Sequence, residues 1–491
     1  MCHTRLLWEG DAYPLAAAQQ ILHGRALYRA LWFDKPPLLP LAYLLCGALP
    51  GWPLRLAGAC YALLACWVAS VFARWQWSER EGRWAAALLG FSLCFDLPSA
   101  AIPVASDLLL LVPHLAAVTL ARRRPFWSGA LAAAAFWVSP KGALVAAACI
   151  LWNPAGIAAM MAGFAAASVP VLTWLAATGA LSAYWEQVWQ WGRLYAASPL
   201  EDAPLRNGVL RTLSWTGFHA AIAVAALWAL IQSRVERPAL PAADAPGDPP
   251  PQAQASDHWQ TLRWAVWLLL SLAGVAAGMR FFPRYYFLLL APMVLLAARG
   301  LALMGGAQRI AVCCLLMIPL VRFAPSYAAA ARNADWRDTA MDRDSRAACT
   351  LVRSMEQPGD TLFVWGYRPE DYVYSALPAA TIYLDSQPLT GVPADRHLTQ
   401  SAPVETRAPG ERRTALAQAA PTFILDGLAA YNPRLAIGEY PDLRAWLGNY
   451  REVGRTGGTV IYHRKTGTEP ADAEEARSGR PPRRPVDAPE R

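Results

Sequence analysis

The stretch LRLAGACYALLACWVASVFAR, residues 54–74, carries no charged side chain between Arg55 and Arg74. A run of that length matches the roughly 20 residues an α-helix needs to cross a bilayer. Its apolar residues fall on every face of a helix, the pattern of a helix buried in lipid or protein and not of an amphipathic surface helix. Working outward, the same reading applies to Trp84–Phe95, Leu108–Ala121, Phe126–Val138, Gly142–Trp152, Pro154–Ala177, Leu210–Ile231, Trp264–Gly278, Phe287–Leu303 and Ile310–Phe323. Several of these are short; they borrow flanking residues or form broken helices whose backbone groups are satisfied by neighbouring protein. Leu38–Leu49 is also apolar, but it contains Pro40 and follows Pro36 and Pro37, which makes it an interfacial or re-entrant helix. With 55% hydrophobic and 16% charged residues in 491, the chain reads as a polytopic α-helical membrane protein of about ten spans.

Charge placement orients these spans. Lysine occurs only at Lys35, Lys141 and Lys465, so arginine supplies nearly all the positive charge behind the formal balance of +8. The arginines sit singly in short loops and in a Pro-rich tail, not along one face, which excludes a nucleic-acid surface. With Leu38–Leu49 not crossing, the loop Arg74–Arg83, the run Arg122, Arg123, Arg124, the Pro-rich linker 233–263 and the loop around Arg299 and Arg309 share one side. The positive-inside rule makes that side the cytoplasm. The other side receives residues 1–53, the loop Asp96–Asp107, the Trp-rich loop Ala180–Gly208, the segment Arg280–Tyr286 and everything after Phe323. Seven of the nine cysteines lie inside apolar stretches, leaving Cys2 and Cys349, so neither a disulfide framework nor a Cys-x-x-Cys metal site is expected.

Four segments follow: an extracytoplasmic loop over 1–53, a transmembrane domain over 54–323, a soluble α/β domain over 324–465 and a disordered tail over 466–491. In the third, SRAACTLVRSMEQ predicts a helix, and TLFVW, ATIYL, PTFIL and GTVIY predict short strands bounded by Pro, Gly and Asp. The tail holds too few apolar residues to order itself. Met1–Tyr13 has neither a signal region nor a span, so a further span is expected ahead of it.

The chemistry concentrates in GDAYPLAAAQQILHGRALYRALWFDKPPL, residues 10–38, with Asp11, Asp34 and Lys35 just ahead of the membrane. Asp11, then Gly24 with Tyr28, then Lys35 with Pro36, Pro37 and Leu38, resemble the first extracytoplasmic loop of the GT-C glycosyltransferases. These are multi-span enzymes that use polyprenyl-phosphate-linked sugars, among them lipid A aminoarabinose transferases and protein O-mannosyltransferases. PVASDLLLLVPH places Asp107 at the start of a span, and RFFPRYYFLLLAP, residues 280–292, is similar to a late family segment. Two positions depart from the family pattern: Arg284 and Tyr285 stand where a histidine is often found, and Ala12 replaces a second acidic residue. The resemblance covers most of the chain and implies a membrane glycosyltransferase of the bacterial inner membrane, with its C-terminal domain extracytoplasmic.

An inverting transfer needs a base to take the acceptor hydroxyl proton, and Asp11 is the first candidate; its plain alternative is a helix cap. The departing lipid phosphate gains negative charge, which fixed cations stabilise, and Lys35, Arg280 and Arg284, with Tyr28 and Tyr285 beside them, are placed to bind it. The plain alternative for these cations is anchoring or snorkelling at the interface. Asp107, at the mouth of an apolar run, orients the acceptor, shares a divalent metal ion with Asp11, or caps its helix. Lys141 in SPKGAL touches a phosphate or marks the interface; His114 reads as a packing residue, and YWEQVWQWGRLY as an interfacial amphipathic helix. The expected partners are therefore a polyprenyl-phosphate-linked sugar, membrane lipids and an acceptor the sequence does not name. Two other readings stay open: a transporter or flippase of lipid-linked sugars, which usually shows internal repeats that this chain lacks, and a non-catalytic assembly partner.

Overall fold

The computed structural model describes residues 6–7, 9–95, 104–197, 203–235, 253–332, 334, 339–392 and 403–465. The expected tail and most of the linker and of the Asp96–Asp107 loop lie outside them. The chain opens with α1 (Glu9–Leu22) and α2 (Leu38–Leu45), then α3 (Trp52–Gln76), α4 (Glu79–Phe95), α5 (Ser106–Leu120), α6 (Pro125–Val138), α7 (Gly142–Trp152) and α8 (Ile157–Ala177). A Trp-rich segment follows, made of α9 (Leu181–Tyr184), a π-helical turn over Trp185–Gln190 and α10 (Trp191–Ala197). Next come α11 (Pro204–Phe218), α12 (Ala220–Val235), α13 (Ala253–Ala276), α14 (Phe287–Leu303), α15 (Gly306–Cys314) and α16 (Met317–Ala331).

By length and apolar character, four helical stretches suffice to cross a membrane: Trp52–Gln76, Pro154–Ala177, Pro283–Leu303 and Gly306–Ala331. α5, α6, α7 and residues Gln260–Ala276 are shorter apolar helices. The span expected over Leu210–Ile231 is broken in its middle: α11 and α12 meet at 90°. The bend falls at His219, where the backbone leaves helical geometry and the ring Nδ1 donates to the Trp215 carbonyl at 3.0 Å. Small residues let the helices touch backbone to backbone, the usual means of association where lipid removes the hydrophobic drive. A Cβ on Gly129 would lie 1.8 Å from the Met160 oxygen, and one on Gly163 would lie 1.9 Å from the Phe126 oxygen, which locks α6 onto α8.

Beyond α16 the chain forms α17 (Ala340–Arg353), β1 (Leu362–Trp365), α18 (Glu370–Ser375), α19 (Gln387–Thr390), α20 (Arg407–Gln418), β2 (Phe423–Asp426), α21 (Pro441–Leu447), β3 (Tyr450–Arg455) and β4 (Val460–Arg464). The sheet order is β1-β2-β4-β3, with β1 and β2 parallel and the other pairs antiparallel. One strand expectation is corrected and one strand is new. ATIYL, residues 380–384, curls because the Thr381 hydroxyl bonds the Tyr383 backbone and the Ile382 carbonyl is taken by the Trp32 amide. In its place Tyr450–Arg455 supplies a strand, bulged between Glu452 and Gly454, whose polar composition hid it.

This C-terminal unit docks on the first loop. Gln20, fully buried, donates to the Leu377 carbonyl at 3.2 Å and accepts from the Ala379 amide at 2.7 Å. The Leu7 amide donates to Asp342 at 3.1 Å, and Arg25 donates to the Ala379 carbonyl. Trp32 packs between Trp191 and Tyr383, with the Arg412 guanidinium 4.7 Å over its ring. The Trp-rich segment is therefore a clamp as much as a surface helix: Gln187 accepts from the Phe33 amide and donates to the Tyr28 carbonyl.

Candidate active site

α1 delivers Asp11 to the interior, where it is fully buried. Its carboxylate accepts from the Tyr43 hydroxyl at 2.8 Å, the Val104 amide at 2.6 Å and Arg55 at 2.7 Å. The Arg55 guanidinium also holds the Leu6 carbonyl at 2.9 Å. One carboxylate thus ties α1, α2, α3 and the approach to α5 together. Asp107 stands three residues beyond Val104, whose amide Asp11 holds, on the first turn of α5, so the two carboxylates share one end of the bundle.

Around Asp107 the cations gather. Lys141, in the break between α6 and α7, places its Nζ 3.6 Å from Asp107 and 3.5 Å from the Tyr285 ring centre. Arg284 places its Nε 3.9 Å from the same carboxylate. Arg280 lies 3.5 Å over the Tyr195 ring and donates to the Tyr195 carbonyl at 2.9 Å, while Arg211 donates to the Arg280 carbonyl at 3.1 Å. Lys35 pairs with Asp34 at 2.5 Å, and its Nζ lies 5.8 Å from the centre of the same Tyr195 ring. Lys35, Arg280, Arg284, Tyr285 and Asp107 are therefore brought together, with Lys141, Tyr195 and Arg211 joining them.

The backbone around this group is held in unusual shapes. Gly278, Met279 and Phe281 all have positive φ, at 79°, 52° and 48°. Left-handed backbone at a non-glycine residue costs on the order of 1–3 kcal/mol and survives only where the surroundings fix it. Here it turns Arg280 into the interior, where only 2% of the residue is exposed. Tyr28, at φ 66°, is buried and donates to the Lys35 carbonyl at 2.7 Å, so it sits beneath the KPPL turn.

A divalent ion shared by Asp11 and Asp107 does not fit this arrangement. Asp11 already accepts from three donors, two cations flank Asp107, and no group of three His, Cys, Asp or Glu that could hold a metal ion occurs among the described residues. Sequence reasoning missed Arg55, Tyr43, Tyr195 and Arg211. Only the single arginine inside the first apolar run, Arg55, carried a visible signal, since a buried charge demands a partner.

The C-terminal unit holds a second buried charge cluster. Arg368, fully buried, pairs with Asp344 at 2.6 Å, donates to the Ser345 hydroxyl and lies 3.8 Å from Glu370. Beside it, burial pushes the Asp371 carboxyl up to about 7 against the pull of Arg368. This cluster holds α17, α18 and the turn before β4 together and lies outside the group around Asp107.

The fold is that of a solved membrane protein. ArnT from Cupriavidus metallidurans bound to undecaprenyl phosphate matches with a TM-score of 0.57 at 14% identity, covering 92% of this chain and 93% of that one. The same protein in its apo state matches at 0.54 and 12% identity over the same shares. The oligosaccharyltransferase AglB from Archaeoglobus fulgidus, in complex with an inhibitory peptide and a dolichol-phosphate, matches at 0.48 and 12% identity over 94% of this chain and 71% of that one. No family model and no curated protein sequence matches the chain. The chain is thus a multi-pass membrane protein with the fold of ArnT and a small C-terminal α/β unit.

Proposed function

We propose that this protein transfers a sugar from a polyprenyl-phosphate carrier to an acceptor on the side of the membrane away from the cytoplasm. The observation that carries the reading is the convergence of Lys35, Lys141, Arg280 and Arg284 around Asp107, with the rings of Tyr195 and Tyr285 between them. Such a group suits a phosphate whose charge grows as the glycosidic bond breaks. The fold supports it, because ArnT has the same architecture and was solved with undecaprenyl phosphate. The arginine distribution puts this end of the bundle outside the cytoplasm.

The two carboxylates divide the work. Asp11 is saturated by three donors, so it serves as a positioning residue that fixes the start of α5. Asp107 meets its cations only at 3.6 and 3.9 Å, beyond hydrogen-bond length, which leaves lone pairs for an acceptor hydroxyl. In a single displacement at the anomeric carbon, Asp107 takes the hydroxyl proton, the acceptor oxygen bonds to that carbon, and the carrier phosphate leaves with the bonding pair. Lys35, Lys141, Arg280 and Arg284 stabilise the departing phosphate, and Tyr28 acts through Lys35 by holding its backbone.

The test is transfer of labelled sugar from a synthetic polyprenyl-phosphate donor to envelope acceptors by the purified full-length chain. Asp107→Asn and Lys141→Met are expected to lower kcat about 10²- to 10³-fold each, the usual effect of removing one transition-state partner. Folded variants of both kinds that transfer at the parental rate would remove the reading.

A further inference from the structure

The far end of the same helices builds a second polar cavity. At 1.5 Å per residue, α3 carries the chain about 30 Å from Arg55 beside Asp11 to Gln76. There, between the ends of α3, α5 and α7, lies a cavity of about 220 Å³ lined by Gln76, Thr119, Arg122, Arg123 and Trp152, over a floor of Phe72 and Val118. This is the end where the arginines collect, a full hydrocarbon thickness away from the group around Asp107.

Its polar groups are mostly donors. Trp152 is 2% exposed, and its indole N–H is buried with no acceptor among the described residues. A buried donor in that state costs free energy until an acceptor arrives. Arg122 and Arg123 stand at the mouth; Arg123 stacks 4.1 Å over Trp75, and neither meets a carboxylate among the described residues. Arg263, on α13, adds a further cation that feels the charge of Arg122. The one hydroxyl on the wall, that of Thr119, is spent on the Leu115 carbonyl at 2.6 Å.

A cavity with two guanidinium groups at its mouth, an unpaired N–H inside and an apolar aromatic floor selects an anion carried on an apolar stem. We propose that it binds the phosphate headgroup of an anionic membrane lipid, with the guanidinium groups on the phosphate oxygens and the first acyl segments against Phe72 and Val118. Basic pockets between membrane helices on the cytoplasmic side hold such headgroups by this chemistry. The proposal stands independently of the catalytic reading, since it uses none of the residues around Asp107.

The test is native mass spectrometry of the full-length protein released from nanodiscs of phosphatidylcholine containing a minor fraction of phosphatidylglycerol. The parental protein is expected to retain phosphatidylglycerol over phosphatidylcholine. Retention is expected to fall about tenfold or more in R122Q/R123Q, as charge-assisted bonds are lost, and about three- to tenfold in Trp152→Phe, which keeps the ring but not the N–H. Arg122 and Arg123 are exposed, so their replacement does not threaten the fold. Arg80 and Arg83 are exposed on the same end, and R80Q/R83Q, which removes equal charge there, is expected to leave retention unchanged. Equal loss in both double variants would reduce the effect to surface charge and overturn the site, as would parental retention in R122Q/R123Q. Inorganic phosphate is expected not to displace the lipid; its binding to the lipid-free protein without lipid retention would overturn the lipid as ligand.

Discussion

Replacing Arg55 by methionine tests the pillar on which the first loop stands. Methionine keeps most of the stem but removes the cation 2.7 Å from Asp11, whose carboxylate is fully enclosed. The Tyr43 hydroxyl and Val104 amide remain, so the charge stays solvated by two donors but unpaired. Breaking a buried pair from one side costs about 3–5 kcal/mol. At about 1.4 kcal/mol per factor of ten, local opening of this region should become roughly two to three orders of magnitude more frequent. Hydrogen exchange reads it directly, because the Val104 amide donates to Asp11 and the Leu6 carbonyl is held by Arg55. The double variant D11N/R55M should recover much of the protection, since a neutral amide still accepts from Tyr43 and Val104 without a buried charge. Effects of D11N and R55M that add within about 0.5 kcal/mol would show that the pair does not couple α1 to α3 and would refute the pillar.

Three further outcomes follow from the same contacts. Tyr28→Phe removes the hydroxyl that holds the Lys35 carbonyl and is expected to weaken carrier binding about three- to tenfold, read as a rise in donor KM with kcat nearly kept. For Asp371, burial raises the folded carboxyl to about 7 from an ordinary value near 4, so the folded state holds the proton more tightly across that window. Stability of the C-terminal unit is therefore expected to fall as pH rises from about 4 to about 7 and to level off above; Asp371→Asn should flatten this slope in melting curves. Asp344, whose hydrogen bonds and Arg368 outweigh burial and hold it below the ordinary range, contributes the opposite slope only below about pH 4. Gly163→Ala forces a methyl to 1.9 Å from the Phe126 oxygen and should cost about 1–3 kcal/mol by parting α6 from α8. Gly192→Ala, with open space around it in α10, is the control and should hold or slightly raise the melting temperature.

Much of this was legible because the bilayer simplifies the code. A run such as 54–74 has few structures open to it, and the charge pattern at the helix ends follows from the cost of moving arginine across the membrane. Lys35, Asp107, Arg280 and Arg284 could be singled out because ionisable residues at span mouths are expensive and seldom idle. Their mutual contacts were not legible, since nothing in the spacing of Asp107 and Lys141 says that α5 and the α6–α7 break converge. The bend at His219 was hidden for a related reason: hydropathy averages across a break confined to one residue's backbone. The strand Tyr450–Arg455 escaped because only its first residue is buried, so it shows neither a continuous apolar run nor alternation.

For the proposed phosphate ligand, the gathering of cations counts for more than any one contact. Lys35, Lys141, Arg280 and Arg284 gather there, with Lys141 and Arg284 against Asp107, Lys35 on Asp34, and Arg211 on the Arg280 carbonyl. Like charges packed against aromatic faces repel, and Tyr195 and Tyr285 relieve part of that through their ring quadrupoles. In a poorly hydrated setting each of these cations acts on an anion more strongly than it would in water. A sugar phosphodiester brings one negative charge and gains a second as the sugar departs. On the proposed reading these cations are better satisfied late in the reaction than early, and that difference lowers the barrier.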